Sequence, residues 1–219
     1  MLTSITIAII AITALISLLA FSSRQITDEL IFYPPAVANR GQFYRFFTCG
    51  LIHADLNHLL FNMLSLFMFG EMLEAYFNST MLFAEKGKVA FILLYVLGLL
   101  FSLLPTYAKH KNDYHYRSLG ASGAVSAVVF AALLLNPTIK VGFYFIPPII
   151  PGYVFGPLYL IVSGFLGKKG KDNINHSAHI FGALFGIGFT IALSYSMHTE
   201  YQPIPEFILK VKSSLAGYR

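Results

Sequence analysis

The chain has 219 residues, of which 56% are hydrophobic and only 11% are charged. A soluble globular domain carries roughly 25% charged residues, so this composition excludes an ordinary soluble protein, and its apolar, aromatic character excludes a disordered one. Six membrane helices of about 20 residues would use roughly 120 residues, so we expect one compact helical membrane domain. The net charge of +5 is typical of loops facing lipid headgroups, and it predicts the lipid bilayer, not nucleic acid, as a partner.

Apolar runs along the chain predict six membrane-spanning helices. They cover, in order, residues 2–21, 56–77, 89–107, 120–135, about 152–167 and 177–197. The long segment between the first two runs contains Pro34-Pro35 and apolar patches, which indicates a first loop lying against the membrane. Three prolines, at 147, 148 and 151, prevent a helix before residue 152. We therefore expect an all-α, multi-pass bundle over residues 1–200 and a short basic C-terminal tail over 201–219.

Polar side chains inside apolar runs are costly in a bilayer, so the clusters they form are candidate functional sites. The first cluster lies on the second span, where His58 and Asn62 are four residues apart and share one helix face. His53 precedes the same helix. The pattern is equally typical of a helix held to its neighbours by polar side chains, so alone it leaves both interpretations open.

The second cluster is Gly120-Ala121-Ser122-Gly123, at the start of the fourth span. Its small residues are typical of close helix packing, and alone the motif favours that interpretation. A serine in the first turn of a helix, however, lies beside backbone N–H groups that have no intrahelical partner. Those donors can stabilise an oxyanion, which makes Ser122 a candidate nucleophile.

The third cluster, on the sixth span, contains His179 followed by Gly182-x-x-x-Gly186. If the glycine face packs on the small residues of the fourth span, His179 comes within hydrogen-bonding distance of Ser122. A serine hydroxyl needs such a base because it is a weak nucleophile at neutral pH. No acidic residue lies inside the sixth span near His179, so the pattern predicts a Ser-His dyad and not a triad.

Taken in chain order, these residues resemble the rhomboid family of intramembrane serine proteases. The matching positions are Tyr44-Arg45, His53-x4-His58-x3-Asn62, Glu74, Gly120-x-Ser122-Gly123 and Ala178-His179-x2-Gly182-x3-Gly186.

The resemblance implies a six-helix bundle in a bacterial inner or plasma membrane that cuts single-span transmembrane substrates without a cofactor or a metal. It implies that Ser122 is the nucleophile and His179 the general base. It also implies an oxyanion hole made by His58, Asn62 and the Ser122 N–H. The glycines of the motifs would be close-packing positions: Gly120, Gly123, Gly182 and Gly186. The fifth span and the loop over 167–175 resemble the gate and cap of the family.

One position departs from the pattern. Some bacterial members carry a tyrosine four residues after the nucleophile, packed under the catalytic histidine, whereas this chain has Ser126 there. We therefore expect other groups to hold the His179 ring, such as aromatic residues of the sixth span.

Two other functions remain open from the residues themselves. Four histidines, at 53, 58, 176 and 179, have spacings that would also suit a metal or proton transporter. A rhomboid-like pseudoprotease that only binds membrane helices is the third interpretation, although the presence of both Ser122 and His179 argues against it. No His-Glu-x-x-His motif occurs, which disfavours a zinc metalloprotease.

Overall fold

A computed structural model of the chain describes residues 4–143, 146–170 and 174–217, and the side chains of all of these except 143 and 146–148. Its elements are α1 Ile5–Phe21, α2 Arg24–Leu30, α3 Pro34–Arg40, α4 Arg45–Thr48, α5 Leu56–Phe77, α6 Gly87–His110, α7 Ser122–Leu135, β1 Lys140–Phe143, β2 Ile146–Pro151, α8 Gly152–Lys169, α9 His176–Ser196 and α10 Pro203–Ala216. Single 3-10 turns precede α5 and α6.

The described part of the chain contains three helices that are long and apolar enough to cross a membrane. They are α5, α6 extended back to residue 84, and α9, while α1 and α7 are apolar but shorter. The bounds of α5 coincide with the second predicted span, and α8 begins at residue 152 as expected. The prediction of a mainly helical membrane protein is confirmed. Residues 1–3 of the first predicted span and 171–173 of the predicted cap lie outside the described residues.

Helix α7 is the central element of the bundle. It contacts α5, α6, α8, α9 and α10, and all its residues except Ser122 and Val129 are buried. A core helix made mostly of alanine, valine and leucine has no polar face to present outward, so it is stable only when other helices surround it. The N-terminal residue of this buried helix is Ser122.

Helices α7 and α9 run parallel and touch backbone to backbone. A Cβ atom on Gly182 would collide with the carbonyl of Gly123, and one on Gly186 with the carbonyl of Ala127. Both contacts advance by four residues along each helix, so the two helices point the same way. Glycine permits this approach because it has no side chain, as in other contacts between membrane helices. His179, one turn before Gly182, therefore lies at the same end of the pair as Ser122.

The N-terminus of α1 is fixed to α5 by a buried carboxylate. Glu74 accepts hydrogen bonds from the Ile5 and Thr6 backbone N–H groups and from the Thr6 hydroxyl, each at 3.0 Å. The Ser4 hydroxyl donates to Glu71, one helical turn earlier. A negative charge at a helix N-terminus satisfies free N–H groups and complements the helix dipole, so this contact orients α1 against α5.

The segment between α1 and α5 is more ordered than the long loop that the sequence predicts. It holds three short helices, and Arg45 of α4 joins two of them. Its Nη1 donates to the carbonyls of Asp28 in α2 at 2.9 Å and of Ile31, just after α2, at 2.7 Å. An isolated antiparallel bridge joins Phe32 to Ser118. The segment is thereby anchored next to the start of α7.

Two features depart from the expectation of an all-α fold with a short basic C-terminal tail. Strands β1 and β2 form an antiparallel hairpin with Lys140 opposite Pro151. Both strands of a two-stranded sheet are edge strands, which is where proline is tolerated. The tail forms α10, whose Lys210 donates to the Leu135 carbonyl at 2.8 Å. This cation lies at the C-terminal end of α7, where it complements the helix dipole.

Candidate active site

A cavity of about 980 Å³ opens around the N-terminal end of α7. The residues that line it come from five of the long helices, from the segments before α5, α7 and α9, from β1 with the residue before it, and from Ile31 after α2. They include all the polar residues that the sequence singled out for catalysis: His58, Asn62, Ser122 and His179. The structure thus brings together on one cavity side chains that are up to 121 positions apart in the sequence, from His58 to His179.

Ser122 occupies the first helical position of α7, and the preceding residue, Ala121, provides no side-chain cap. The first N–H groups of a helix have no intrahelical acceptor, so they need another partner. The first backbone bond within α7 is donated by Val125 to Ala121. The serine hydroxyl therefore lies beside uncapped backbone donors, at the positive end of the helix dipole.

His53, which does not line the cavity, contacts the residue that precedes α7. Its Nε2 accepts the Ala121 N–H at 3.4 Å, and its Nδ1 lies 2.9 Å from the Ser17 hydroxyl. Since the Ser17 hydroxyl donates to the Leu51 carbonyl at 2.8 Å, the His53 hydrogen is assigned to Nδ1. Desolvation by burial is the largest cause that lowers the pKa of His53 from 6.5 to about 3, with a further contribution from His58. A neutral ring is what the Ala121 bond requires.

His58 points its ring at the backbone just before Ser122. Its Nδ1 accepts the Ala54 N–H at 3.4 Å, which assigns the ring hydrogen to Nε2. A Cβ atom on Gly120 would lie 2.6 Å from Cε1 and 2.9 Å from Nε2 of His58, and Gly120 has φ +111°. Both the space and the backbone conformation therefore require glycine at 120.

Asn62 lies one turn after His58 on the same face of α5. Its side-chain amide donates to the His58 carbonyl at 2.9 Å, which uses one of its two amide hydrogens. Asn62 is buried, yet it lines the cavity. The arrangement gives two neighbouring side-chain donors, one imidazole N–H and one amide N–H, on the wall that faces α7.

The His179 ring is stacked on an aromatic ring from α8. The centroids of Tyr159 and His179 are 6.3 Å apart, and their planes are inclined by 22°. Tyr159 and Ser126 line the same cavity as His179. The sequence suggested aromatic residues of the sixth span for this role, whereas this ring comes from the fifth predicted span.

Sequence reasoning missed two residues of the site. Tyr159 gave no signal because its place depends on how α8 packs, and no motif marks it. Ser102 of α6 lies against Gly123, where any Cβ atom would collide with it, and it lines the cavity. The only sequence feature that could have marked Ser102 as a site residue was its place as a polar side chain inside a long apolar run.

The described residues contain no cluster of side chains suited to bind a metal ion. No group of three or more His, Cys, Asp or Glu side chains there is arranged to hold an ion. The His53 and His58 rings are in edge-to-face contact with centroids 4.9 Å apart, and the rings of His176 and His179 are 5.9 Å apart in a similar arrangement.

Comparisons with known proteins agree with the motifs. Residues 40–196 match the family model of the rhomboid domain. The chain is 31% identical over 161 residues to a putative rhomboid protease of Bacillus subtilis, covering 73% of this chain and 71% of that protein.

Two relatives come from Arabidopsis thaliana. Rhomboid-like protein 15 is 28% identical over 193 residues, with 85% of this chain and 44% of that protein covered. The mitochondrial rhomboid-like protein 12 is 28% identical over 150 residues, covering 65% of this chain and 44% of that protein. The chain thus spans less than half the length of both plant relatives.

Proposed function

Since the chain belongs to the rhomboid family, we propose that it is a serine endopeptidase that cleaves transmembrane substrates within the membrane by a Ser122–His179 dyad. The observation that carries this proposal is the shared cavity, which is lined by a helix-N-terminal serine, a histidine on the parallel neighbouring helix, and two further side-chain donors. Other buried polar groups, such as Glu74 and Arg45, are engaged in holding the fold together.

In the proposed reaction, His179 takes the proton of the Ser122 hydroxyl as the oxygen attacks the scissile carbonyl carbon. The C–N bond then breaks, and the imidazolium returns the proton to the leaving amine. A water molecule, deprotonated by the same imidazole, hydrolyses the acyl-enzyme and restores the serine. Water must therefore enter the cavity.

The negative oxygen of the tetrahedral intermediate would be stabilised by three donors. They are the His58 Nε2–H, the Asn62 side-chain amide and the Ser122 backbone N–H. The tautomer of His58 supports this role, because its Nδ1 is already an acceptor for Ala54 and its hydrogen is on Nε2. Preorganised donors in a site shielded from bulk water are the largest single contribution in many acyl-transfer enzymes.

Tyr159 is proposed as a positioning residue for the base. Its ring packs on the His179 imidazole, and it lines the same cavity as Ser126, the position where some bacterial members of the family carry tyrosine. An aromatic face against an imidazole fixes the ring plane and favours the imidazolium that forms during the reaction. The stacking partner on a neighbouring helix thus replaces the missing tyrosine.

The membrane arrangement that goes with this function has six spans, namely α1, α5, α6, α7, α8 and α9. Its substrates would be single-span proteins whose helix unwinds near the cavity, because an intact helix engages its carbonyls in its own hydrogen bonds. We propose a bacterial inner or plasma membrane as its location. A bacterial relative supports this location, whereas a relative named mitochondrial is consistent with a different membrane.

The direct test compares wild type with Ser122→Ala and, as a matched control, Ser79→Ala, which removes a hydroxyl in the turn after α5. Each purified protein is mixed with a single-span model substrate in detergent or liposomes. The proposal predicts cleavage by wild type and Ser79→Ala and none by Ser122→Ala. Equal cleavage by Ser122→Ala would contradict it.

A second candidate is a rhomboid-like protein that binds membrane helices without cutting them. Two relatives are named rhomboid-like and not protease, and this function is consistent with those names. It predicts that wild type and Ser122→Ala bind the model substrate equally and that neither cleaves it. Of the metal or proton transporter interpretation, the metal form predicts stoichiometric zinc in purified protein, which elemental analysis measures directly.

A further inference from the structure

A second cavity, of about 510 Å³, adjoins the candidate active site and is lined mainly by arginine. Four of the five arginines of the chain converge on it. Its lining residues are Arg24, Asp28, Ile31, Tyr33, Arg40, Arg45 and Arg117. We call this cavity the arginine pocket. It shares Ile31 and Arg117 with the larger cavity.

The arginines reach the pocket from four separate segments: the start of α2, the end of α3, the start of α4 and the residues before α7. Two of them are held in place. Arg45 is buried and uses Nη1 for carbonyls and Nε for the Gln42 side chain at 2.6 Å. The Arg117 guanidinium lies over the Tyr33 ring, 4.6 Å from its centroid. Such convergence makes a preformed concave surface.

The charge of the pocket is strongly unbalanced. Among the described residues that line it, Asp28 is the only carboxylate, and this group pairs with Arg24 at 3.8 Å in a largely exposed ion pair. Within the described residues, Arg40, Arg45 and Arg117 form no ion pair with a carboxylate. Like charges around one cavity repel each other, so an anion bound between them is favoured. Planar guanidinium groups suit phosphate because they can donate two parallel hydrogen bonds.

The surroundings of the pocket indicate the source of the phosphate. Phe43 and Tyr44 lie between Arg40 and Arg45 in the chain, and they are 61% and 46% exposed. Exposed aromatic side chains next to arginines are typical of the membrane–water interface, where the rings contact acyl chains and the cations contact headgroups. At the membrane–water interface, the phosphate group within reach is that of a phospholipid headgroup.

We propose that the arginine pocket binds the phosphate of an anionic phospholipid headgroup at the membrane surface. This inference goes beyond proteolysis and does not depend on it, because the pocket recognises the lipid whether or not Ser122 is reactive. Because Arg117 lines both cavities, the bound headgroup would lie next to the candidate active site.

The test uses the full chain, purified in detergent and incubated with equal amounts of phosphatidylglycerol and phosphatidylcholine. Native mass spectrometry then measures which lipid stays bound. The variant Arg40→Gln/Arg117→Gln removes two exposed charges from the pocket. As the control, Lys109→Gln/Lys111→Gln removes two exposed charges at the C-terminal end of α6. Thermal unfolding confirms that each variant is folded.

Wild type and the lysine control should retain phosphatidylglycerol in preference to phosphatidylcholine. The arginine variant should lose about fivefold in that preference for each charge removed. In a parallel experiment, inorganic phosphate alone is added and the thermal unfolding temperature is measured. A rise in this temperature for wild type but not for the arginine variant would mean that the pocket binds free phosphate without the rest of the lipid. No change in either protein would mean that binding requires the lipid headgroup. Equal retention of both lipids by wild type, or equal losses in both variants, would overturn the proposal.

Discussion

The Tyr159 ring is stacked against the His179 imidazole, with centroids 6.3 Å apart and planes inclined by 22°. These residues come from α8 and α9, and both line the cavity at the N-terminal end of α7. If α8 moves to admit a substrate, the stacking must change with it, so the position of the proposed base and the position of this helix are coupled.

Replacing Tyr159 should affect turnover more than substrate binding. Tyr159→Leu removes the stacking, which contributes about 0.5–1.5 kcal/mol for aromatic pairs, so kcat should fall about two- to tenfold while KM changes little. Tyr159→Phe keeps the ring and should restore most of the loss. Steady-state cleavage kinetics with a model substrate measure both constants.

The control for this change is Tyr153→Leu, on the same helix but outside the set of residues that line the cavity. It should leave kcat unchanged. If Tyr159→Leu raised KM alone, or if Tyr153→Leu had the same effect, Tyr159 would contribute to the fold or to substrate binding and not to the placement of His179.

The oxyanion donors can be separated from general cavity effects by two asparagines of α5. Asn62→Ala should lower kcat about 10²–10³-fold, as loss of one oxyanion donor does in other serine hydrolases. Asn57→Ala changes the same residue type on the same helix, at a residue that also lines the cavity. The kcat of both variants is measured at saturating substrate, and comparable kcat values for the two would argue against an oxyanion role of Asn62.

The contact between α7 and α9 predicts a sharp difference between two glycines of α9. Gly182→Ala introduces a methyl group against the Gly123 carbonyl and should lower the free energy of unfolding by about 1–3 kcal/mol. Gly188→Ala meets nothing within 4 Å and should be neutral or stabilise the helix by up to about 1 kcal/mol. Unfolding in mixed micelles with increasing SDS, followed by circular dichroism, gives both values. Equal effects would mean that this helix contact is not close.

The buried imidazole of His53 predicts acid sensitivity. Burial lowers its pKa to about 3 in the folded protein, against 6.5 ordinarily. Between these values the unfolded chain binds a proton that the folded chain does not, so stability is full above about pH 6.5 and falls as the pH decreases. The loss approaches about 1.4 kcal/mol per pH unit for one group.

A non-titrating variant isolates this effect from the other histidines. His53→Gln should be less stable than wild type at pH 7.5, and its stability should decrease less steeply between pH 6.5 and 4.5. The same SDS titration repeated across this range measures the difference. Parallel pH dependence of the two proteins would show that His53 does not titrate as its burial requires.

The sequence was most informative where one physical requirement dominates. The bounds of α5 follow from an apolar run that starts after the capping residue Asp55, whose side chain accepts the His58 N–H at 2.8 Å. The start of α8 follows from the prolines before it. The face of α9 that packs on α7 could be anticipated from Gly182 and Gly186, since small residues at that spacing have few other uses in a membrane helix.

Other features depend on tertiary contacts that no local pattern encodes. The sequence predicts that Lys210 belongs to a short basic tail, yet this side chain lies in α10 and donates to the Leu135 carbonyl at the end of α7, at 2.8 Å. The β-hairpin lies in an apolar, proline-rich stretch whose strand pairing has no clear alternation to reveal it. Tyr159 is one of 13 tyrosines, and only the packing of α8 on α9 brings it to the imidazole. The roles of Ser122 and His179 stay predictions.

Labelling with a fluorophosphonate tests the central claim most directly, because this reagent forms a bond only with a serine whose hydroxyl is activated. Intact-mass measurement and peptide mapping are applied to wild type, Ser122→Ala and His179→Ala in the same detergent. The account predicts one adduct, on Ser122, in wild type and none in either variant. A preparation that cleaves substrate but carries no label on Ser122, or is labelled equally in His179→Ala, would contradict it.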